Sequence, residues 1–150
     1  MSPKTDSRVI LLAEDDADDR MLVTRVLEKE LLVSDVRTVW NGEELMDYLL
    51  HTGKYENPDE APRPALILLD LNMPRKDGRE ALMEIKSHPE LKTIPVVVLT
   101  TSNSEMDVEQ SYRAGVNAYI TKPARFADLT AAFKVMYQFW FEVVRLPSRG

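Results

Sequence analysis

Five short apolar runs punctuate the chain, and stretches of helical period separate them. Val9-Ile10-Leu11-Leu12-Ala13, Ala65-Leu66-Ile67-Leu68-Leu69 and Val96-Val97-Val98-Leu99 are continuously apolar, the pattern of strands covered on both faces. Asp35-Val36-Arg37-Thr38-Val39 alternates and is β-branched, which predicts an edge strand. Ala118-Tyr119-Ile120-Thr121 is the fifth. In the intervening segments, Val23, Val26, Leu27 and Leu31 share one helical face. Asn41 and Glu44 have capping spacing ahead of Leu45, Tyr48 and Leu49. Ala81, Leu82 and Ile85 line a third helix that Pro89 stops. Ser102-x-x-Glu105 predicts a capping box opening the fourth, and Gly115 is placed to close it. The last helix is expected from near Ala127 into an aromatic stretch.

Strict strand-helix alternation with short connections implies an α/β fold, a parallel sheet with helices on both faces. For five strands the commonest solution is the doubly wound, flavodoxin-like order 2-1-3-4-5. No repeat or second domain is visible in the 150 residues, a length that buries a real core unaided. Gly53 to Pro64 is about twice the usual helix-to-strand connection; it reads as a tolerated insertion or as a binding or dimer arm.

Composition then removes whole classes of function. With no cysteine, the chain has no disulfide framework, thiolate metal site, cysteine nucleophile or redox pair. A net charge of −6 argues against a broad nucleic-acid surface. The five glycines lie too far apart for a P-loop or a dinucleotide turn. His51 and His88 fall near helix ends, where a cation is favourable, and read as structural. No apolar run approaches the ~20 residues of a membrane span, and residues 1–8 lack the features of a signal peptide. A cytoplasmic location without membrane contact is expected.

In such a sheet, ligands bind beyond the carboxyl ends of the strands where the strand order reverses. Glu14 and Asp15 follow the first strand, Asp70 and then Asn72 the third, Thr100 ends the fourth, and Lys122-Pro123 follows the fifth. Strands one and three are neighbours, so three carboxylates converge. Unit charges about 4 Å apart repel by about 4 kcal/mol near a surface. A hard divalent cation such as Mg²⁺ relieves this, and Lys122 adds a positive charge from the far side. The acidic run Glu14 to Asp19 fails the calcium-loop template, having no glycine at the turn and no distal glutamate. Asp18 and Asp19 read instead as first-turn acids of a helix.

Leu11-Leu12-Ala13-Glu14-Asp15-Asp16, Leu68-Leu69-Asp70-Leu71-Asn72-Met73-Pro74, Lys76-Asp77-Gly78, Val98-Leu99-Thr100 and Tyr119-Ile120-Thr121-Lys122-Pro123 together resemble the motif set of response-regulator receiver domains, the CheY-like form of this fold. The resemblance spans nearly the whole chain. It implies Asp70 as phosphoacceptor and Mg²⁺ held by Glu14, Asp15, Asp70 and the backbone carbonyl of Asn72. It further implies phosphoryl contacts from Thr100 and Lys122, Tyr119 acting with Thr100 as the switch, and a cis Lys122–Pro123 peptide aiming the lysine at Asp70. Gly53 to Asn57, Leu99 to Ser102 and the tail Phe139 to Pro147 look most like regulators paired with phytochromes. That similarity implies a sensor histidine kinase, a phytochrome, as partner. One departure is Ala124 after Lys-Pro, where many receivers carry an aromatic, with Phe126 two residues on.

Two rival readings fail on residue chemistry. A flavin module needs a hydroxyl- and glycine-rich loop where Glu14-Asp15-Asp16 stands, and a haloacid-dehalogenase-type phosphatase needs a general acid where Asn72 stands. A receiver is therefore expected to accept a phosphoryl group and signal by changing shape, promoting its own phosphorylation and dephosphorylation without being an enzyme in the ordinary sense. The division read from the sequence is a tail over 1–7, a receiver over 8–138 and an extension over 139–150. Since the chain ends at Gly150, output is expected through protein contact, a downstream phosphotransfer protein included. Leu129, Ala132, Phe133, Met136 and Trp140 suffice to cover the sheet, which leaves Val135, Tyr137, Phe139, Phe141 and Val144 on other faces. A homodimer through Phe139, Phe141 and Val144 is the expected consequence.

Overall fold

Each apolar run becomes a strand: β1 (Val9–Ala13), β2 (Asp35–Val39), β3 (Leu66–Leu69), β4 (Val96–Thr100) and β5 (Ala118–Thr121). Helices α1 (Ala17–Arg25), α2 (Gly42–Leu50), α3 (Gly78–Ser87), α4 (Glu105–Ala114) and α5 (Phe126–Gln138) alternate with them. The computed structural model describes residues 8–31 and 33–143. All pairings are parallel and the order is β2-β1-β3-β4-β5, the doubly wound arrangement that the alternation predicts.

The three central strands are buried throughout because successive side chains feed two cores. Leu11, Ala13, Ile67, Leu69, Val96 and Val98 point to one face, against Leu45, Leu49, Leu82 and Ile85 of α2 and α3. Ile10, Leu12, Leu66, Leu68, Val97 and Leu99 point to the other, against Val23 of α1 and Leu129, Phe133 and Met136 of α5. The edge strands β2 and β5 are only half-buried. α4 differs from the other helices in fully burying no apolar side chain. Ser111 is its one buried residue, while Met106 and Tyr112 are 66% and 51% exposed.

Local signals set most boundaries. Asp16 caps α1 by accepting from Asp19 N at 2.9 Å, and Asn41 caps α2 by accepting from Glu44 N at 2.7 Å. Asp77 and Glu80 form a capping box at the start of α3. The α4 cap differs from the expected Ser102-x-x-Glu105 box. Ser104 is the N-cap and accepts from Asp107 N at 3.3 Å, because the Ser102 hydroxyl is engaged by the Asp107 carboxylate at 2.6 Å. Gly115 closes α4 at φ 108°, a left-handed conformation that glycine adopts without strain.

The connection after α2 folds onto its own domain. Tyr55 donates to Glu44 at 2.6 Å, Tyr48 donates to the Pro62 carbonyl at 2.7 Å, and His51 Nε2 lies 2.8 Å from the Ala61 carbonyl. α1 and α5 each run on into a wider turn, over Val26–Glu30 and Phe139–Val143. Along the second, Trp140 and Phe141 pack against the α1–α5 core, and Arg8 lies 4.3 Å over the Phe141 ring. Val135 and Phe139 point outward, 67% and 48% exposed. Val144 lies outside the described residues.

Candidate functional site

β1 and β3 pair side by side with Ala13 opposite Leu69, so the next residue of each emerges at the same edge. The ladder continues one step further: Asp70 N donates to the Ala13 carbonyl and Glu14 N to the Val39 carbonyl, both at 3.0 Å. Glu14 and Asp70 are thereby fixed at the backbone as well as buried. With the exposed Asp15 they form a cluster whose carboxylate oxygens lie within 4.8 Å of one another.

Gly78 is required for this edge to close. It begins α3 and donates to the Leu71 carbonyl at 2.9 Å, so close that a Cβ there would sit 2.2 Å from the Asp70 carbonyl oxygen. Asn72 N turns back to Asp70 Oδ1 at 3.4 Å. Thr100, the last residue of β4, is fully buried, and its carbonyl accepts from Lys122 N at 2.7 Å. That bond brings the end of β5 to the cluster.

Lys122 is where geometry departs most from expectation. Its Nζ hydrogen-bonds Glu14 Oε1 and, at 2.9 Å, Asp19 Oδ2. No peptide among the described residues is cis, so the expected cis Lys122–Pro123 bond is corrected to trans. The physical reason is that the backbone bond to Thr100 and the long lysine side chain already bring Nζ to the acids, so no reversal of the chain is needed. Asp19, read from the sequence as a first-turn acid, is in fact also a partner of this ammonium.

The electrostatics are those of an acid cluster short of positive charge. Burial pushes the Glu14 carboxyl up to about 7; the hydrogen bond from Lys122 pulls it back only in part, and the Asp70 charge raises it further. For Lys122, burial works against the ammonium, but the bonds to Glu14 and Asp19 outweigh it and its pKa rises. The donor set is all hard oxygen. That chemistry fits a hard divalent cation such as Mg²⁺, which Glu14, Asp15 and Asp70 would hold.

Side chains at the edge of the cluster are tied into it. Arg20 donates to the Glu14 carbonyl at 2.8 Å and lies 4.4 Å over the exposed Trp40 ring. Tyr119 is half-buried, with its hydroxyl on the Ser102 carbonyl at 2.9 Å. Arg79 and Asp107, not singled out by the sequence, pair at 2.8 Å between α3 and α4. Their separation of 28 positions carries no sequence signal, whereas the Asp77-x-x-Glu80 box beside Arg79 was open to view.

The model for the response regulator receiver domain matches residues 10–134. The chain belongs to that family. Response regulator Rcp1 of Synechocystis sp. is 48% identical over 141 residues, covering 94% of each chain. Among solved structures, the phosphorylated cyanobacterial phytochrome response regulator RcpA superposes with a TM-score of 0.87 at 48% identity, covering 94% of this chain and 99% of its own. The Mn²⁺-bound form of Rcp1 gives 0.85 at 48% identity, with the same coverage. Receivers are signalling proteins, and in this one the acid cluster, Thr100 and Lys122 occupy the strand ends that the sequence assigns them. No helix among the described residues is long and apolar enough to cross a membrane.

Proposed function

We propose that this receiver accepts a phosphoryl group on Asp70 from a phosphohistidine of a sensor kinase, a phytochrome, in the cytoplasm. One observation carries the reading: Glu14, Asp15 and Asp70 gather their oxygens within 4.8 Å at the carboxyl edge, with Lys122 bonded into the cluster. In the transfer an Asp70 carboxylate oxygen bonds to phosphorus while the phosphorus–nitrogen bond breaks; the electron pair stays on that nitrogen, and the proton on the other ring nitrogen leaves the kinase histidine neutral. Glu14, Asp15, Asp70 and the Asn72 carbonyl are the residues that would hold Mg²⁺. Bound there, the ion neutralises charge on the transferring oxygens. The Lys122 ammonium has three donors, two of which are taken by Glu14 and Asp19. The third is left for a phosphoryl oxygen, and the buried Thr100 hydroxyl supplies another contact. Movement of Thr100 toward the phosphoryl group shifts the loop whose Ser102 carbonyl holds Tyr119, so Tyr119 reports the change.

The phytochrome partner is supported by the likeness to RcpA. Incubating the protein with candidate phytochrome kinases, Mg²⁺ and radiolabelled ATP is the test. Label should reach Asp70, vanish with chelator and be lost in Asp70→Asn; label on another residue rejects the assignment.

The same reading includes a homodimer on the outer face of the last helix. Val135 and Phe139 carry the exposed apolar surface there, with Phe141 half-buried at its margin. Output passes to a further protein, a phosphotransfer protein among the options. Sedimentation at micromolar concentration should give about twice the chain mass, and Phe139→Asp with Phe141→Asp should reduce it. A strict monomer rejects the dimer.

A further inference from the structure

Arg79, in the first turn of α3, meets three acceptor residues, two in the loop after β3 and one on α4. Its Nε and Nη2 grip Asp107 Oδ1 and Oδ2 of α4 at 2.9 and 2.8 Å, a two-pronged pair. Its Nη1 reaches Asp77 Oδ2 at 3.1 Å, and Asn72 Oδ1 lies 3.4 Å from Nη1 and Nη2. Asp107 in turn receives the Ser102 hydroxyl at 2.6 Å. A continuous run of polar contacts therefore joins Asn72 on the β3 side to Ser102 on the β4 side.

Those two residues occupy equivalent places. Asn72 stands two positions beyond Asp70 and turns its N–H to Asp70 Oδ1; Ser102 stands two beyond Thr100 and turns its N–H to Thr100 Oγ1, both at 3.4 Å. Asn72 thus touches the Asp70 carboxylate, and Ser102 touches the hydroxyl of Thr100, the residue proposed to contact the phosphoryl group. The Tyr119 hydroxyl also holds the Ser102 carbonyl at 2.9 Å, but α4 buries only Ser111, so the polar contacts through Asp107 carry much of the hold on this loop. A guanidinium fork fixes direction as well as charge, which a lysine cannot do.

We propose that Arg79 is a positioning residue for phosphoryl retention, holding the loops after β3 and β4 at a set spacing across Asp70. The inference rests on Asp70 being the acceptor. In phosphoryl loss, water adds to phosphorus and the bond to the Asp70 oxygen breaks. Its electron pair returns to the carboxylate, and phosphate leaves carrying both protons of the water. A fixed spacing keeps Asn72 and Ser102 over the path that this water must take. Slackening it admits water and shortens the lifetime.

The test compares wild type with Arg79→Gln, Arg79→Lys, Asp107→Asn and the double variant Arg79→Gln with Asp107→Asn. Each is phosphorylated by acetyl phosphate in Mg²⁺, and loss is followed after the donor is removed. Arg79→Gln and Asp107→Asn should each speed loss about three- to tenfold, the double variant no more than either alone, and Arg79→Lys should not restore the wild-type rate. Amide exchange on unphosphorylated protein is the second arm. In Arg79→Gln, protection should fall together over 71–77 and 100–107, with the α1–α5 face unchanged. Unaltered loss, additive effects, rescue by lysine, or exchange rising on one loop alone overturns the proposal. If wild type takes no phosphoryl group on Asp70, the acceptor assignment fails, and the exchange arm decides on the clamp by itself.

Discussion

Replacing Glu14 with glutamine should make the metal-free protein more stable at neutral pH, although Glu14 is a proposed metal ligand. Glu14 is 1% exposed, and burial with the Asp70 charge raises its carboxyl from an ordinary 4.5 to about 7. Each factor of ten in the ionisation constant is worth about 1.4 kcal/mol, so holding Glu14 ionised in the folded chain costs about 3 kcal/mol. Solvent reaching the cluster through the exposed Asp15 lowers this to about 2–3 kcal/mol. The folded-state value lies above the unfolded one. Protonated Glu14 therefore contributes stability that is complete below about pH 4.5 and is lost as pH rises through 7. Urea unfolding with chelator, followed by tryptophan fluorescence from pH 4.5 to 8, measures it. The wild type should lose about 2–3 kcal/mol relative to Glu14→Gln across that window, and Mg²⁺ should return stability to wild type far more than to the variant. A difference between the two proteins that stays flat with pH, or grows toward acid, would refute the electrostatic account of the cluster.

Three further outcomes follow from packing and charge. Gly78→Ala should cost more than about 2 kcal/mol in urea unfolding, since its Cβ meets the Asp70 carbonyl oxygen at 2.2 Å; a neutral result would mean that the start of α3 can move away freely. Phe133→Ala, in the α1–α5 core with no exposed surface, should cost about 3–5 kcal/mol, against about 0.5 kcal/mol or less for the exposed Val135→Ala in monomer. Arg79 and Ser102 hold the Asp107 carboxyl down at about 2, so that contribution is present above about pH 4 and lost as pH falls through 2. Asp107→Asn should flatten the acid limb of the stability profile, and an unchanged limb would show that the pair adds nothing.

The elements were legible because their signals are local. A continuously apolar strand such as Leu66–Leu69 can rest only between two covered faces, and the structure fills both. Once strands one and three are neighbours, Glu14 and Asp70 must share an edge, so the cluster follows from topology and needs no side-chain detail. The α4 cap misled for a physical reason. Ser102 and Ser104 are both capping residues, and the choice fell to Ser104 because Asp107 claims the Ser102 hydroxyl. That claim in turn depends on where Arg79 holds Asp107.

Partner choice among charges is the part that sequence does not carry. Lys122 faces Glu14, Asp19 and Asp70, and the reach of its flexible stem decides that Glu14 and Asp19 are the two bonded. Arg79 poses the same problem, with Asp77 two residues away and Asp107 on another helix. Both cations end up joining segments that the apolar pattern leaves loose: Lys122 ties the end of β5 to β1 and α1, and Arg79 ties α4 to α3. The division has a mechanical consequence. The face built by α1 and α5 is held by buried Val23, Leu129 and Phe133, and it resists small changes in charge. The side built by α4 is held through ions and hydroxyls, whose strength depends on the charges nearby. On the proposed reading of Asp70 as acceptor, a dianionic group there would compete for the same donors, and the expected response falls on α4 and the loop after β4 while the α1–α5 core stays put.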